Sequence, residues 1–198
     1  MTDTINDVRV IKDTTANPGP LGLMAFGTTT VLLNLANVGA FKVTSMVLGM
    51  AIFYGGVAQV IAGIMEWKKN NTFGQVAFLS YGLFWLSFAA MELMPHISGS
   101  LAPDKNAVGW FLITWGVFTA LMFVAALRIN RSLQTVFLSL TVLYFLLAWS
   151  KFGDNASVLK VAGWEGLFVG LSAVYGATAQ IWNEYYGRIV LPLGVVRK

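Results

Sequence analysis

The side chains in this sequence that could do chemistry are neutral hydrogen-bonding groups set within long apolar runs. They are Asn34, Gln59, Ser80, Tyr81, Ser87, Thr114, Ser139, Thr141, Thr178 and Gln180. None of the 13 Lys and Arg residues lies near the centre of an apolar run, so no charge-paired trap for an anion is expected there. Neutral groups hold a small polar solute weakly and release it quickly, as conduction requires. The pattern therefore indicates a path for a small polar solute, or for a weak acid that crosses neutral or as an anion accompanied by a proton.

Each of these groups also has a purely structural interpretation. A Ser or Thr hydroxyl in a membrane helix commonly donates to the backbone of its own helix, and Asn34 or Gln59 could equally hold two helices together. Tyr54 is expected more often in interior packing than against a solute. The small residues of the last apolar run, which include Gly166 and Gly170, predict a helix-packing face within one protomer or between protomers.

Covalent and metal chemistry find little support in the sequence. The chain has no Cys and a single His, His96, which is expected in an exposed loop. No HExxH or GxSxG pattern is present, and the carboxylates Glu66, Glu92, Glu165 and Glu184 lie towards the ends of apolar runs. We therefore predict neither an enzyme nor a protein with a metal ion or an organic cofactor.

The composition is that of an integral membrane protein. Hydrophobic residues make up 57% of the 198 residues and charged residues only 11%, whereas a soluble domain carries about 25% charged residues. The mean hydropathy is +0.68. Residues 1–20 lack the continuous apolar segment of a cleavable signal peptide. Nearly all of the chain lies in apolar runs, so no separate soluble domain is expected.

Six apolar runs of about 20 residues are long enough to cross the hydrocarbon core of a membrane. They cover residues 21–38, 43–67, 74–94, 107–127, 132–149 and 158–182. Pro95 is predicted to end the third run. We predict an all-α integral membrane protein in which residues 17–192 form one six-helix transmembrane domain. A disordered cytoplasmic tail, residues 1–16, is expected before it and a basic cytoplasmic tail, residues 193–198, after it.

Positive charge is distributed unevenly between the two sides of this arrangement. Nine of the 13 Lys and Arg residues fall on the side of both termini and four on the other side. The positive-inside rule then places both termini in the cytoplasm, and the predicted location is the cell (inner) membrane. The net charge of +4 is explained by this topology, and no nucleic-acid partner is expected.

A distinctive stretch, Asn17-Pro18-Gly19-Pro20-Leu21-Gly22, lies between the polar N-terminal residues and the first apolar run. Asn17 is expected as the N-cap of the first helix, with Pro18 at the first helical position. Gly22 would let another backbone approach closely. The helix start would present its positive dipole end near the membrane surface. Residue types alone leave open whether this is only a capped membrane helix or a site that faces an anion.

The same stretch resembles the Asn-Pro-x-Pro-Leu-Gly-Leu signature of the acetate uptake transporter family, the succinate–acetate permeases. Gly19 departs from the pattern, because the family usually has Ala there. The resemblance runs from Asn17 to about Pro192. Further matching segments follow in order: Phe53-Tyr54-Gly55-Gly56-Val57-Ala58-Gln59, Asn71-Thr72-Phe73-Gly74, Ser80-Tyr81-Gly82-Leu83-Phe84-Trp85, Ser139-Leu140-Thr141-Val142-Leu143 and Ala162-Gly163-Trp164.

The resemblance implies a six-helix bundle similar to urea-channel proteins, assembled in the lipid bilayer as a ring-shaped homo-hexamer with one solute path in each subunit. Acetate and succinate are the implied substrates, and protons are an implied coupled partner. An apolar constriction, which can gate by dewetting, is implied at Phe26, Tyr81 and Leu140. The implied solute contacts are Asn17, Thr30, Asn34, Tyr54 and Gln59.

We therefore predict transport of acetate, and also of succinate and other small monocarboxylates, by a channel or a proton-coupled symporter. A channel for a small neutral solute such as urea or ammonia is the nearest alternative, because its lining would be the same. An intramembrane enzyme would need reactive groups that the sequence lacks. A structural or sensory membrane protein would have no need of Asn34, Gln59 and Tyr81 together.

Overall fold

The computed structural model describes residues 14–99 and 102–196, and most of the predicted tail of residues 1–16 lies outside them. Within the described residues the secondary structure is helical, apart from an isolated bridge between Asn130 and Val195. The prediction of an all-α membrane protein with six spanning helices is confirmed, and an even number of crossings returns the chain to the side where it began. The helices are α1 (Gly19–Asn37), α2 (Ser45–Lys68), α3 (Thr72–Ser98), α4 (Lys105–Ala126), α5 (Arg131–Phe152) and α6 (Ala156–Tyr185).

Short polar side chains determine where four of these helices begin. Side-chain oxygens of Asn71, Asp104, Asn130 and Asn155 accept hydrogen bonds from backbone amides in the first turns of α3, α4, α5 and α6. These caps satisfy amides that have no carbonyl partner at a helix start. Hydropathy therefore locates each apolar run, and in these four helices the cap sets the first residue.

The third helix ends later than predicted. Pro95 lies inside α3, which continues to Ser98 and stops at Gly99, a left-handed C-cap with φ of 64°. A proline removes one backbone hydrogen bond and crowds the carbonyl one turn earlier. That penalty falls in the last turn of a 27-residue helix, where few other bonds depend on it. His96 consequently lies in the exposed final turn of α3 and not in a loop.

The second helix contains a feature that the hydropathy pattern did not predict. Residues Ala51–Ala58 form a π-helix between the α-helical segments Ser45–Met50 and Gln59–Lys68. Gly55 within it packs closely, because a Cβ atom there would lie 2.9 Å from both the Cγ2 of Thr29 and the Cγ of Trp85. Such π turns inside α-helices are frequent at functional sites.

Glycines set the short distance between α1 and α6. A Cβ atom at Gly27 would lie 2.7 Å from the carbonyl oxygen of Gly170, and the reverse distance is also 2.7 Å. Small residues allow helix backbones in membranes to approach in this way. The small-residue face of α6 therefore packs within the protomer, against α1, while α4 packs on α5 and α2 on α3.

The chain folds back after α6 onto the start of α5. The Arg131 amide donates to the Gly194 carbonyl at 2.9 Å, and the Ser132 amide donates to the Leu193 carbonyl at 3.0 Å. The Asn183 side chain forms hydrogen bonds with backbone groups of residues 190 and 191, which fixes the intervening turn. The predicted basic tail thus begins with residues that are paired with α5.

Candidate functional site

A cavity of about 100 Å³ lies between α1, α2, α3, α5 and α6, on the side of the membrane where both termini lie. Four polar side chains line its outer part, which we call the polar mouth: Asn17, Glu66, Asn71 and Gln180. Gln59 lines the cavity as well. Six apolar or aromatic side chains line its inner part, which we call the apolar base: Leu23, Phe26, Phe78, Tyr81, Phe137 and Leu140. At 1.5 Å per helical residue, the residues of the base on α1 and α3 lie roughly 9 to 15 Å deeper than Asn17 and Asn71.

Two hydrogen-bonded pairs form the polar mouth. The Nδ2 of Asn17 donates to the Oε1 of Gln180 at 3.1 Å, and the Nδ2 of Asn71 donates to the Oε2 of Glu66 at 2.8 Å. Gly19 lies between the pairs, because a Cβ atom there would lie 2.9 Å from Gln180 Oε1 and 3.5 Å from Glu66 Oε1. The mouth therefore combines neutral amides with one carboxylate, Glu66, which is only 3% exposed.

The start of α1 differs from the expected cap. Pro18 is the N-cap, because its carbonyl accepts from the Gly22 amide at 3.2 Å and the helix begins at Gly19. The Oδ1 of Asn17 instead accepts from the Gly19 amide at 3.0 Å. The Asn17 side chain closes a local turn around Pro18. Pro18 therefore already has helical backbone angles, although it is the N-cap residue. The space at Gly22 is filled by the ring of Phe78, at 2.6 Å from a Cβ position, and not by another backbone.

The three predicted constriction residues meet at the apolar base. Phe26, Tyr81 and Leu140 are 5%, 3% and 3% exposed, and the rings of Phe26 and Tyr81 lie 5.6 Å apart. The Tyr81 hydroxyl lies 2.8 Å from the Thr119 hydroxyl on α4. Tyr81 therefore offers the cavity its ring, while its polar end is bonded to a neighbouring helix. The base is closed by hydrocarbon and aromatic surface.

The predicted solute contacts fall into two groups. Asn17 and Gln59 line the cavity, whereas Thr30, Asn34 and Tyr54 are not among its lining residues. The Thr30 hydroxyl donates to the Phe26 carbonyl at 2.7 Å, and the Nδ2 of Asn34 donates to the Thr30 carbonyl at 2.8 Å. Solute contact at Thr30, Asn34 and Tyr54 stays a prediction.

Asn34 also has a clear packing role. A Cβ atom at Gly166 of α6 would lie 2.1 to 2.3 Å from the amide atoms of Asn34. Its Oδ1 accepts from the Nδ2 of Asn37 at 3.0 Å. Asn34 therefore packs in the contact between α1 and α6. This agrees with the interpretation, left open by the sequence, that Asn34 holds two helices together.

Sequence reasoning missed the contribution of Glu66 and Asn71. The hydropathy pattern predicts Glu66 near the end of an apolar run, where solvent exposure is the ordinary outcome. The Asn71 side chain, which also caps α3 by accepting from Gly74, holds the Glu66 carboxylate inwards. The segment Asn71-Thr72-Phe73-Gly74, noted for its resemblance, was the one available signal.

The lining of the cavity suits a small polar solute that binds weakly. Among the residues that the structure describes, the lining includes amides and one carboxylate but no Lys or Arg. No group of three His, Asp or Glu residues that could hold a metal ion occurs in the described part of the chain. A vestibule of this kind can receive a solute, remove part of its hydration shell and deliver it to an apolar closure.

Six spanning helices around a polar vestibule with an apolar, aromatic base define a membrane protein with a solute path. The profile of the GPR1/FUN34/yaaH family matches residues 4–195, and the chain belongs to this family. This confirms the family that the sequence motifs indicated.

Similar proteins of known name agree with this membership. The succinate-acetate/proton symporter SatP of Escherichia coli is 53% identical over 179 residues, which cover 90% of this chain and 95% of that protein. The solved structure of the bacterial acetate channel SatP has a TM-score of 0.90 at 53% identity, and the match covers 91% of this chain and 99% of that chain. Ammonia transport outward protein 2 of Saccharomyces cerevisiae is 38% identical, over 84% of this chain and 61% of that protein.

Proposed function

We propose that this protein moves acetate and other small monocarboxylates, together with the dicarboxylate succinate, across the cell (inner) membrane. The observation that carries the proposal is the cavity that leads from Asn17 and Gln180 to Phe26, Tyr81 and Leu140. It occurs in a chain 53% identical to a succinate-acetate/proton symporter. The relatives named as a symporter and a channel are transport proteins, in agreement with the prediction of a transporter and not an enzyme.

The polar mouth and the apolar base would act on the solute in different ways. The amide groups of Asn17, Asn71 and Gln180 can replace water around a carboxylate at the mouth, because amide N–H groups donate to carboxylate oxygens. The apolar base then admits solutes whose hydration is weak and whose width is small. Acetate fits this description better than larger or doubly charged acids, so succinate should move more slowly.

Protons are the proposed coupled partner. Among the described lining residues Glu66 is the one carboxylate, and it lies beside the amides that would meet the solute. Ionisable groups within membrane segments commonly mark proton pathways. A proton on Glu66 would remove a negative charge from the mouth while an acetate anion occupies it.

A ring-shaped homo-hexamer is proposed as the assembly, on the strength of the family resemblance. Large apolar side chains such as Phe53, Leu121, Phe168 and Leu171 are 52 to 71% exposed on the protomer surface. In a membrane these faces meet lipid or neighbouring subunits. The mass of the detergent-solubilised complex, after subtraction of bound detergent, would distinguish a hexamer from a monomer of 21.5 kDa.

A neutral solute is the second candidate. The relative named for ammonia transport is 38% identical, and the described residues that line the cavity include no Lys or Arg that would favour an anion over an uncharged solute. Urea carries the N–H and C=O groups of an amide, and ammonia carries N–H donors and a nitrogen lone pair, so both could form hydrogen bonds with the amides of the mouth. The flux measurement must therefore include them.

The deciding experiment is uptake of labelled acetate into proteoliposomes, with and without an imposed pH gradient. Accumulation above equilibrium that depends on the gradient would support a proton-coupled carrier, and dissipative flux alone would support a channel. Protein-free liposomes provide the control for passive entry of acetic acid. Urea or ammonia flux without acetate flux would contradict the proposal and favour the second candidate.

A further inference from the structure

A groove on the outer surface of the protomer is separate from the solute path. It has a volume of about 560 Å³ and lies between the start of α5, the middle of α6 and the returning C-terminal segment. Among the described residues, none lines both this outer groove and the cavity of the solute path. The lining of the outer groove combines one cation, Arg131, with hydroxyl groups that include Ser132 and Ser172 and with the apolar side chains of Phe168 and Leu171.

These three kinds of side chain follow one another along the membrane normal. Arg131 is the first residue of α5, on the side of the membrane where both termini lie. The helix α6 runs towards that side, so Phe168 lies deeper in the membrane than Tyr175, by roughly 10 Å at 1.5 Å per residue. The outer groove therefore leads from a cation near the membrane surface, past hydroxyl groups, to hydrocarbon inside the membrane.

The Arg131 side chain is held in place by contacts that leave most of its N–H donors unused. Its Nη1 donates to the Oε1 of Gln134 at 2.7 Å. Gly194, which has a φ of 67°, packs on the Arg131 stem, because a Cβ atom at Gly194 would lie 2.7 Å from the Arg131 Cβ. Arg131 forms no ion pair within the described part of the chain. A guanidinium group has several N–H donors and no acceptor, so its remaining donors can bind an anion.

Two hydroxyl groups of the outer groove also lack hydrogen-bond partners. Thr135 donates to the Arg131 carbonyl at 3.1 Å, the ordinary arrangement in a membrane helix. The hydroxyls of Ser132 and Ser172 form no hydrogen bond with any described residue, although both side chains are half-buried. A Cβ atom at Gly176, one helical turn after Ser172, would lie 3.0 Å from the Ser132 Oγ. The two free hydroxyls therefore lie on facing turns of α5 and α6.

The charges around the outer groove favour an anion. No Asp or Glu occurs among the described residues that line it. Glu184 follows Tyr175 by nine residues, which at about 3.6 residues per turn places it on the opposite face of α6. Arg128 and Arg188, both exposed, lie on the same side of the membrane as Arg131. The end of the groove at the membrane surface is therefore positively charged.

We propose that the outer groove binds an anionic phospholipid of the cytoplasmic leaflet. The lipid phosphate accepts hydrogen bonds from the Arg131 guanidinium, and the ester oxygens accept from the hydroxyls of Ser132 and Ser172. One acyl chain then lies on Phe168 and Leu171. Basic pockets between membrane helices on the cytoplasmic side bind anionic lipid head groups, because negatively charged lipids and basic side chains attract each other there.

The same features favour a lipid over a neighbouring subunit as the occupant. A second copy of the chain would have to bring an anion to Arg131. Of the described carboxylates on this side of the membrane, Glu66 is only 3% exposed in its own cavity, which leaves Glu184. A phospholipid carries its charge, its ester oxygens and its hydrocarbon in the order in which the groove presents their partners.

The test measures the melting temperature of the detergent-solubilised protein with added phosphatidylglycerol or with zwitterionic phosphatidylcholine. A ligand that binds only the folded protein raises the melting temperature, and phosphatidylglycerol should raise it more. Arg131→Gln should weaken phosphatidylglycerol binding about tenfold, as expected for loss of a hydrogen bond between charged groups. Arg128→Gln is the matched control, because Arg128 is an exposed cation that does not line the groove, and binding should stay within about twofold.

A second substitution tests the groove without changing its charge. Ser172→Leu fills the groove with hydrocarbon and should abolish the difference between the two lipids. The hydroxyl of Ser172 is unbonded and the side chain is half-buried, so the melting temperature of the lipid-free protein should not fall. Ser172→Ala leaves the groove open and should retain most of the binding. This pair of variants decides the question if Arg131→Gln fails to fold.

Three results would overturn the proposal. The first is equal stabilisation of the original protein by the two lipids, or phosphatidylglycerol binding that is unchanged in both Arg131→Gln and Ser172→Leu. The second is an equal rise in melting temperature with glycerol 3-phosphate, which would indicate a site for a soluble phosphate. The third is a smaller mass of the solubilised complex in Ser172→Leu, which would assign the groove to a neighbouring subunit. Acetate flux is not measured, so each result leaves the proposed transport function standing.

Discussion

The hydroxyl groups of Tyr81 and Thr119 lie 2.8 Å apart across the contact between α3 and α4. The Thr119 hydroxyl also donates to the Trp115 carbonyl at 2.7 Å, so its single hydrogen is in use and Tyr81 is the donor of the pair. The ring that closes the cavity is therefore held from behind by a hydrogen bond outside the solute path.

This pair predicts unequal effects of two conservative substitutions. Tyr81→Phe removes the donor and should lower the free energy of unfolding by about 1 kcal/mol, whereas Thr119→Val leaves the buried phenol unpaired and should cost about 1 to 3 kcal/mol. Acetate flux should change little in Tyr81→Phe, because the ring remains. Melting in detergent and proteoliposome uptake measure the two effects. A larger loss of stability in Tyr81→Phe than in Thr119→Val would contradict the arrangement.

Widening the apolar base should relax selectivity. Leu140→Ala and Phe26→Ala should raise the ratio of succinate to acetate flux several-fold, because the narrowest part of the path limits the larger acid. Leu138→Ala and Phe53→Ala are matched controls, since these side chains are 51% and 71% exposed on the outer surface. Competition between the two labelled acids measures the ratio. An identical ratio in the base variants and their controls would remove Leu140 and Phe26 from the constriction.

Neutralising Glu66 should separate flux from coupling. Glu66→Gln keeps an oxygen that can accept from Asn71, so the mouth should keep its shape while losing its exchangeable proton. Downhill acetate flux is expected to persist, and accumulation driven by a pH gradient is expected to disappear. Glu92→Gln, at an exposed position on α3, is the control. Undiminished accumulation in Glu66→Gln would show that coupling does not use this carboxylate.

Alanine substitutions at glycines inside the contact between α1 and α6 and at a glycine outside it should have opposite effects on stability. Gly27→Ala or Gly170→Ala places a Cβ atom 2.7 Å from a facing carbonyl oxygen and should destabilise the protein by about 1 to 3 kcal/mol. Gly49→Ala has nothing within 4 Å and should stabilise helix α2 by about 0.5 to 1 kcal/mol. Melting temperatures of the three variants test the signs. Equal shifts would mean that close packing does not limit residues 27 and 170.

The parts of this fold that depend on local composition were predictable. Each apolar run is long enough to cross a membrane by itself, so the six spans followed from hydropathy. The motif resemblance also indicated Asn17, Phe26, Gln59, Tyr81 and Leu140, which the structure brings to one cavity.

The parts that depend on tertiary contact were not predictable. The π-helix at Ala51–Ala58 has no composition signal, since its Gly and Ala residues are equally common in ordinary membrane helices. The inward position of Glu66 depends on Asn71, which lies beyond the end of its helix. Asn34 occupies the α1–α6 contact because Gly166 leaves space for its amide, a fact that neither residue reveals alone.

The pairing of the C-terminal segment with residues 129–132 has a mechanical consequence. The helices α5 and α6 are joined at one end by the turn after Phe152 and at the other end by the segment after Tyr185, so the two form a closed loop of chain. A closed loop resists splaying at either end. Rearrangements that widen the solute path should therefore move α5 and α6 as one rigid pair, with the bending concentrated in α2, where the π-helix already departs from regular geometry.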